Sequence, residues 1–207
     1  MPDALQRESP LARFDLAARR EQGAANARVV IGERPFQGHL NVRGSSADST
    51  FVAAVRESVG VAAPGAPNTV VEANGNVVYW LGPDEWLIVT PFERKAEVER
   101  SLRTSLRDVR SAVTDVSGGQ TVIVIQGSAA RAVLAKGCPL DLHPRVFGIG
   151  QCAQSHLAKA GVLLRIVNAT PTFEIVVRRS YADYLWLWLN DAAEYTFTLQ
   201  GYSNEGA

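Results

Sequence analysis

Apolar and polar positions along the chain fall into two runs of elements in the same order. The first spans roughly His39 to Arg107. "HLNVRG" alternates as a strand, and "SSADSTFVAAVRESVG" places Phe51, Val55 and Val59 on one helical face. Ser45 and Asp48 have the spacing of a capping box at that helix's start. A Pro/Gly/Ala linker leads to "TVVEANGNVVYW", two strands joined by Asn74-Gly75, a pair suited to a tight hairpin. A turn at Gly82-Pro83-Asp84 precedes a third strand, "EWLIVT". Thr90-Pro91 then opens a second helix, with Thr90 as its cap and Val98, Leu102, Leu106 and Val109 as its apolar stripe.

The second run repeats the first. "TVIVIQG" reads as a strand ending in Gly127, and Ser128 as the cap of the helix "AARAVLAKG". Gly137 stands where a left-handed C′ residue would end that helix, and Pro139 prevents its continuation. "CAQSHLAKAGVLLRIVN" gives a hairpin, "FEIVVR" a third strand and "SYADYLWLWLNDAA" a closing helix boxed by Ser180 and Asp183. Both halves read β-α-β-β-β-α. The expectation is an α+β fold of two pseudo-repeated lobes with mostly antiparallel sheets. The divisions are an N-terminal arm (1–28), a first lobe (29–113), a second lobe (114–200) and a flexible tail (201–207). The lobes form one compact unit.

Composition narrows the partners. Lysine plus arginine equals aspartate plus glutamate, 21 each among 207 residues. Such a surface lacks the long-range field that draws in nucleic acid or an anionic membrane. No apolar run reaches the length of a membrane span. The first twenty residues do not read as a signal peptide, and two cysteines suit a reducing cytoplasm.

Candidate chemistry concentrates in "KGCPLDLHPRVFGIGQC", where Cys138, Asp141, His143 and Cys152 invite a metal or nucleophile reading. The spacing matches no tetrahedral zinc pattern. Turn chemistry accounts for every residue type present, with Cys138 as a small buried residue. Gly148 to Ala153 spells G-x-G-x-x-A, but the context should be strand, turn, helix, and here a strand is expected to follow. His39, His143 and His156 fall in different elements, and there is no phosphate loop or nucleophile elbow. Catalytic, cofactor-binding and metal residues are therefore assigned to none of this chain.

The last helix carries more apolar surface than one stripe needs. Tyr181, Tyr184, Leu185, Trp188, Leu189 and Ala192 make its core face, leaving Trp186 and Leu187 off it. Other parts of the same chain or a partner protein would cover them. Leu11 and Phe14 in the arm are similar apolar anchors without a place in either repeat. Trp186, Leu187, Leu11 and Phe14 are the candidate partner interface.

Four collinear strings, "WLGPDEWLIV", "SAARAVLAKGCPLDLHP", "CAQSHLAKAGVLLRI" and "TFEIVVRRSYADYLWLWL", resemble the gamma-subunit family of heterotetrameric sarcosine oxidases, from about Val70 to Ala193. The resemblance implies the duplicated fold of the glycine-cleavage aminomethyltransferases. It implies a complex with alpha, beta and delta subunits that oxidatively demethylates sarcosine to glycine, hydrogen peroxide and formaldehyde or methylene-tetrahydrofolate. FAD, FMN, NAD and tetrahydrofolate would sit in partner subunits. This chain, with no catalytic residues of its own, would act in assembly, docking chiefly to alpha. Two alternatives stand beside this one, a free-standing folate-binding aminomethyltransferase and a generic interaction module. A folate site would need a carboxylate in a cleft, for which Asp84, Glu85, Asp115 and Asp141 are candidates only by being acidic. Members that assist iron–sulfur maturation share Lys136-Gly137-Cys138, but this chain departs at Pro139-Leu140-Asp141.

Overall fold

A hairpin shows how local sequence sets this architecture. Asn74 (φ 53°) and Gly75 (φ 77°) both occupy the left-handed region, which amide side chains and glycine tolerate best. They turn β3 (Val70–Ala73) into β4 (Asn76–Gly82). The computed structural model describes residues 7–14 and 28–202, with side chains described to residue 194. Residues 1–6, 15–27 and 203–207 of the expected arm and tail lie outside the described residues.

The remaining strands are β1 (Val30–Arg34), β2 (Gly38–Arg43), β5 (Glu85–Thr90), β6 (Ala112–Asp115), β7 (Gln120–Gln126), β8 (Cys152–Leu157), β9 (Ala160–Asn168) and β10 (Thr172–Arg178). The α-helices are α1 (Ser49–Val59), α2 (Phe92–Ser105), α3 (Ala130–Ala135) and α4 (Ala182–Tyr202). The order β-α-β-β-β-α occurs twice, as the sequence predicts. The first two residues of the expected tail, 201 and 202, are instead the end of α4.

The strands build two five-stranded sheets, β3-β4-β5-β2-β6 and β8-β9-β10-β7-β1, with every pairing antiparallel. Each sheet takes its last strand from the other half of the chain. β1 pairs with β7, Val30 opposite Gln126, and β6 pairs with β2, Leu40 opposite Asp115. A division at residue 113 therefore does not follow the sheets. The unit that repeats is one strand longer than the periodicity suggests, and its first strand is exchanged. Each exchanged strand extends β2 or β7, which would otherwise end its sheet with unpaired backbone groups.

Three apolar clusters follow from strand alternation. Leu40, Val42, Val78, Trp86 and Ile88 face α1 and α2. Ile123, Ile125, Leu164, Phe173 and Ile175 face α3 and α4. Opposite faces of both sheets meet through Val70, Tyr79, Leu87, Val89, Val122, Cys152, Leu163 and Val176. The layers run helix, sheet, sheet, helix. β3 and β8 also join end to end at a short seam, where the Val70 N–H donates to Gly150 O and the Cys152 N–H to Asn68 O, each at 2.9 Å.

Helix ends depart from the sequence expectation. Asp48, not Ser45, caps α1, its Oδ1 accepting from the Thr50 and Phe51 N–H groups at 2.8 and 3.3 Å. Pro91 occupies the cap position of α2, and Thr90 is a buried strand residue. Ala129 precedes α3 without a side-chain cap, and its N–H donates to Arg28 O at 3.0 Å. The arriving backbone supplies what Ser128 was expected to supply. Gly137 is not left-handed. Its missing side chain admits the Trp188 indole, since a Cβ there would stand 2.5 Å from Cζ2.

The expected interface residues divide. Trp186 is 3% exposed and belongs to the core on the helical side of the second sheet, together with Leu11 at 0%. These two are corrected from interface to core. The physical reason is the segment 7–14, which lies along the chain's own surface. Phe14 packs on Trp186 with ring centroids 5.9 Å apart, Arg13 pairs with Asp183 at 2.7 Å, Arg179 donates to Glu8 O at 2.6 Å, and Ser9 donates to Glu33. Leu187 remains 53% exposed. Tyr181, expected on the core face, is exposed because a 3-10 turn, Arg179–Tyr181, precedes α4.

Candidate functional site

The segment leaving α3 holds most of the candidate chemistry, and its side chains are engaged locally. Cys138 is buried in the core beneath α3 and α4. Asp141 Oδ1 accepts from the His143 N–H at 2.8 Å, and His143 Nδ1 accepts from the Arg145 N–H at 3.2 Å. Arg131 reaches across from α3 to donate to Leu142 O. Gln151 Oε1 accepts from the Gly148 N–H at 2.6 Å. These are turn-fixing bonds. β8 begins at Cys152, inside the G-x-G-x-x-A string, so no helix N-terminus follows the glycines.

Cys152 points between the sheets, far from the environment of Cys138. Its thiol is within 3.2 Å of Thr69 O and 3.8 Å of Trp80 O. Burial pushes it up to about 11, so it stays protonated at neutral pH and is a poor nucleophile. Both cysteines are free. His39 is buried on β2, where Nδ1 meets Gln37 O at 3.1 Å and Nε2 has no partner among the described residues. Burial lowers it to about 4, so the ring is neutral and its bare nitrogen is enclosed. His143 and His156 are exposed. Among the described residues, no group of three or more His, Cys, Asp or Glu side chains is arranged to hold a metal.

The four carboxylates considered for a folate site are distributed over local duties. Glu85 Oε1 accepts from Asn41 at 2.8 Å and its other oxygen pairs with Arg43. Asp84 is exposed in the neighbouring turn. Burial would raise the Asp115 carboxyl, but bonds from Lys95 and Ser117, both at 2.5 Å, outweigh it and hold it at about 2. A groove of about 550 Å³ opens between the sheets, lined in part by Leu81, Leu87, Gln154, His156, Leu163 and Arg178. None of these four carboxylates is among its lining residues.

A buried ion pair beside the seam was not anticipated from the sequence. Arg165 on β9 and Glu174 on β10 face each other in register, and Nε and Nη2 of Arg165 both reach Glu174 Oε2 at 2.8 Å. Glu72 binds Arg165 Nη1 at 2.6 Å from the other sheet, and Arg34 pairs with Glu174 from the exchanged strand β1. The group thus ties both sheets and the exchanged strand together. Arg165 inside "GVLLRIVN" and Glu174 inside "TFEIVV", each the one charge of its string, were the available signal. A lone buried charge is costly, so two of opposite sign in adjacent hairpin strands point to a pair.

Residues 43–195 match the sequence model of the "Sarcosine oxidase, gamma subunit family". The chain is 35% identical to sarcosine oxidase subunit gamma of Corynebacterium sp. (strain P-1), covering 86% of each chain. It is 34% identical to the same subunit of Corynebacterium sp. (strain U-96), covering 90% of this chain and 89% of the relative. Its structure is similar to a chain of the heterotetrameric sarcosine oxidase from Corynebacterium sp. U-96, solved in complex with pyrrole 2-carboxylate. There the TM-score is 0.82 at 32% identity over 91% of this chain and 95% of that one. The fold is also that of the glycine cleavage system aminomethyltransferase T from Bartonella henselae (TM-score 0.65, 15% identity, 90% of this chain and 57% of that one). The match over most of the chain in sequence and fold makes this chain a member of the sarcosine oxidase gamma subunit family.

Proposed function

We propose that the chain is the non-catalytic gamma subunit of a heterotetrameric, flavin-dependent sarcosine oxidase. In this reading it assembles with alpha, beta and delta subunits in the cytoplasm and docks chiefly to alpha. The complex converts sarcosine to glycine, hydrogen peroxide and formaldehyde or methylene-tetrahydrofolate. FAD, FMN, NAD and tetrahydrofolate belong to the partner subunits. The observation that carries the reading is the match to almost the full length of a chain in a heterotetrameric sarcosine oxidase. The engagement of this chain's polar groups supports a non-catalytic role. Cys152 is protonated and turned toward backbone carbonyls, His39 is neutral and enclosed, and Asp141 and His143 fix turns. Among the described residues, no helix is long and apolar enough to cross a membrane. Leu187 and Phe14 remain the arm and helix residues proposed for contact with a partner.

The test is co-expression with the large flavoprotein subunits, followed by affinity capture of this chain and gel filtration. Co-elution of one complex with sarcosine-dependent peroxide formation supports the reading. An active flavoprotein complex that forms without this chain and leaves it free contradicts it. Tight tetrahydrofolate binding by the isolated chain favours the aminomethyltransferase alternative.

A further inference from the structure

The two repeats provide an internal comparison for the loop after α3. Residues 60–69 connect α1 to β3, whereas residues 136–151 connect α3 to β8. Both connections end at the same seam, where Val70 bonds to Gly150 and Cys152 to Asn68. The whole crossovers are nearly equal, 26 residues between β2 and β3 (44–69) and 25 between β7 and β8 (127–151), so the longer loop stands where the first lobe has helix: α3 has six residues and α1 eleven. Chain given to a loop in place of helical turns presents side chains that a packed helix would bury, and loops on a rigid scaffold are where contacts concentrate.

The longer loop is firmly held. Leu142 and Phe147 are buried, and Phe147 stacks on Phe173 with ring centroids 6.5 Å apart. The Val146 and Phe147 N–H groups both donate to His143 O, at 2.8 and 2.9 Å. Yet Val146 is 55% and Ile149 66% exposed, more than any other large apolar side chain among the described residues. Arg145 lies beside them, exposed, with no side-chain partner among the described residues. Aliphatic side chains held outward on a braced loop lose little freedom on binding, which favours them as contact anchors.

We infer that the 143–150 loop is a surface by which the alpha subunit of the heterotetramer holds this chain. The inference rests on the functional reading above and adds the place of contact. Family membership in a heterotetrameric oxidase makes another subunit the occupant, and the functional reading, in which this chain docks chiefly to alpha, names it. The chemistry of the loop defines it further. The partner offers an apolar cleft for Val146 and Ile149, bordered by a carboxylate for Arg145. The chain as a whole is charge-balanced, so the attraction is local and Arg145 sets its register.

The experiment captures the co-expressed complex with variants of this chain: Ile149→Asp, Val146→Asp with Ile149→Asp, Arg145→Glu, and Ala53→Asp on the exposed side of α1 as a control. The double variant is expected to weaken association at least about ten-fold, the range of a contact anchor. Arg145→Glu weakens it most at low salt, and Ala53→Asp leaves it unchanged. Thermal unfolding of each isolated variant stays near wild type, because the side chains are exposed. If an aspartate variant misfolds, Ile149→Ser is read in its place. Wild-type capture together with undiminished capture of the double variant overturns the loop assignment and leaves the functional reading standing. Failure of the wild type to be captured overturns the functional reading and the loop with it. Self-association of the isolated chain that Ile149→Asp abolishes, with capture unaffected, shows a contact between copies and also overturns the assignment.

Discussion

At Gly137 a hydrogen stands where a methyl group would meet an indole. Gly137→Ala is expected to destabilise the chain by about 1–3 kcal/mol, the usual cost of overpacking, because Trp188 must shift from its seat. A chemical-denaturation midpoint equal to wild type would contradict this. The sequence marked Gly137 as special through its place after a helix, but for a left-handed turn. The true reason is a contact 51 residues away, which no local pattern encodes. His39 gives a pH dependence. Its pKa is about 4 when folded and 6.5 when free, so between these values the unfolded chain takes up the proton and the folded chain does not. Stability is then lost as pH falls from about 6.5 to about 4, by roughly 2 kcal/mol at pH 5. His39→Gln should flatten that slope in urea titrations at pH 7 and 5. An unchanged slope would rule His39 out as its source. Cys138 and Cys152, both buried and free, should react with a thiol reagent only as fast as the chain opens. Rapid reaction of either in the native protein would contradict the burial.

Elements were more legible than the details at their ends. Strand periods and the Asn74-Gly75 turn placed β3, β4 and β5 within a residue or two, because a period of two and a pair of left-handed residues are local facts. Thr90 and Ser128 failed as caps because a neighbouring strand took the first and the Arg28 carbonyl replaced the second. The face of α4 was misread for a similar reason. Trp186 looked surplus to one helix, and the segment 7–14 covers it. Trp186→Ala should therefore cost about 3–5 kcal/mol, as for a buried aromatic, in the isolated chain. Full retention of stability would return Trp186 to the surface. Glu174→Ala leaves Arg165 buried with its principal partner gone, at a cost of about 3–5 kcal/mol. A smaller loss on changing Arg165 and Glu174 together to apolar residues would show that the single-variant cost is mainly an uncompensated charge.

For the whole molecule, the duplicated α+β plan was readable and the strand exchange was not. The periodic pattern that marks the repeats starts at β2 and at β7, so it leaves out β1 and β6 and says nothing of which sheet accepts them. The pairing depends on a free edge at β7 and β2. The consequence is that neither half closes its own sheet, so separate expression of residues 29–113 and 114–200 is not expected to give two folded lobes. The functional assignment likewise became legible through long strings shared with a family, not through a reactive centre. The segment "KGCPLDLHPRVFGIGQC" turned out to divide by direction. Cys138, Leu142 and Phe147 point inward, while Val146 and Ile149 point outward. The most direct measurement of the central claim is native mass spectrometry of this chain co-expressed with the other subunits of the proposed oxidase. The account predicts that the 22.4 kDa chain appears within the intact oxidase and leaves it only on disruption. An intact, active oxidase that lacks the chain while the chain is present free would contradict it.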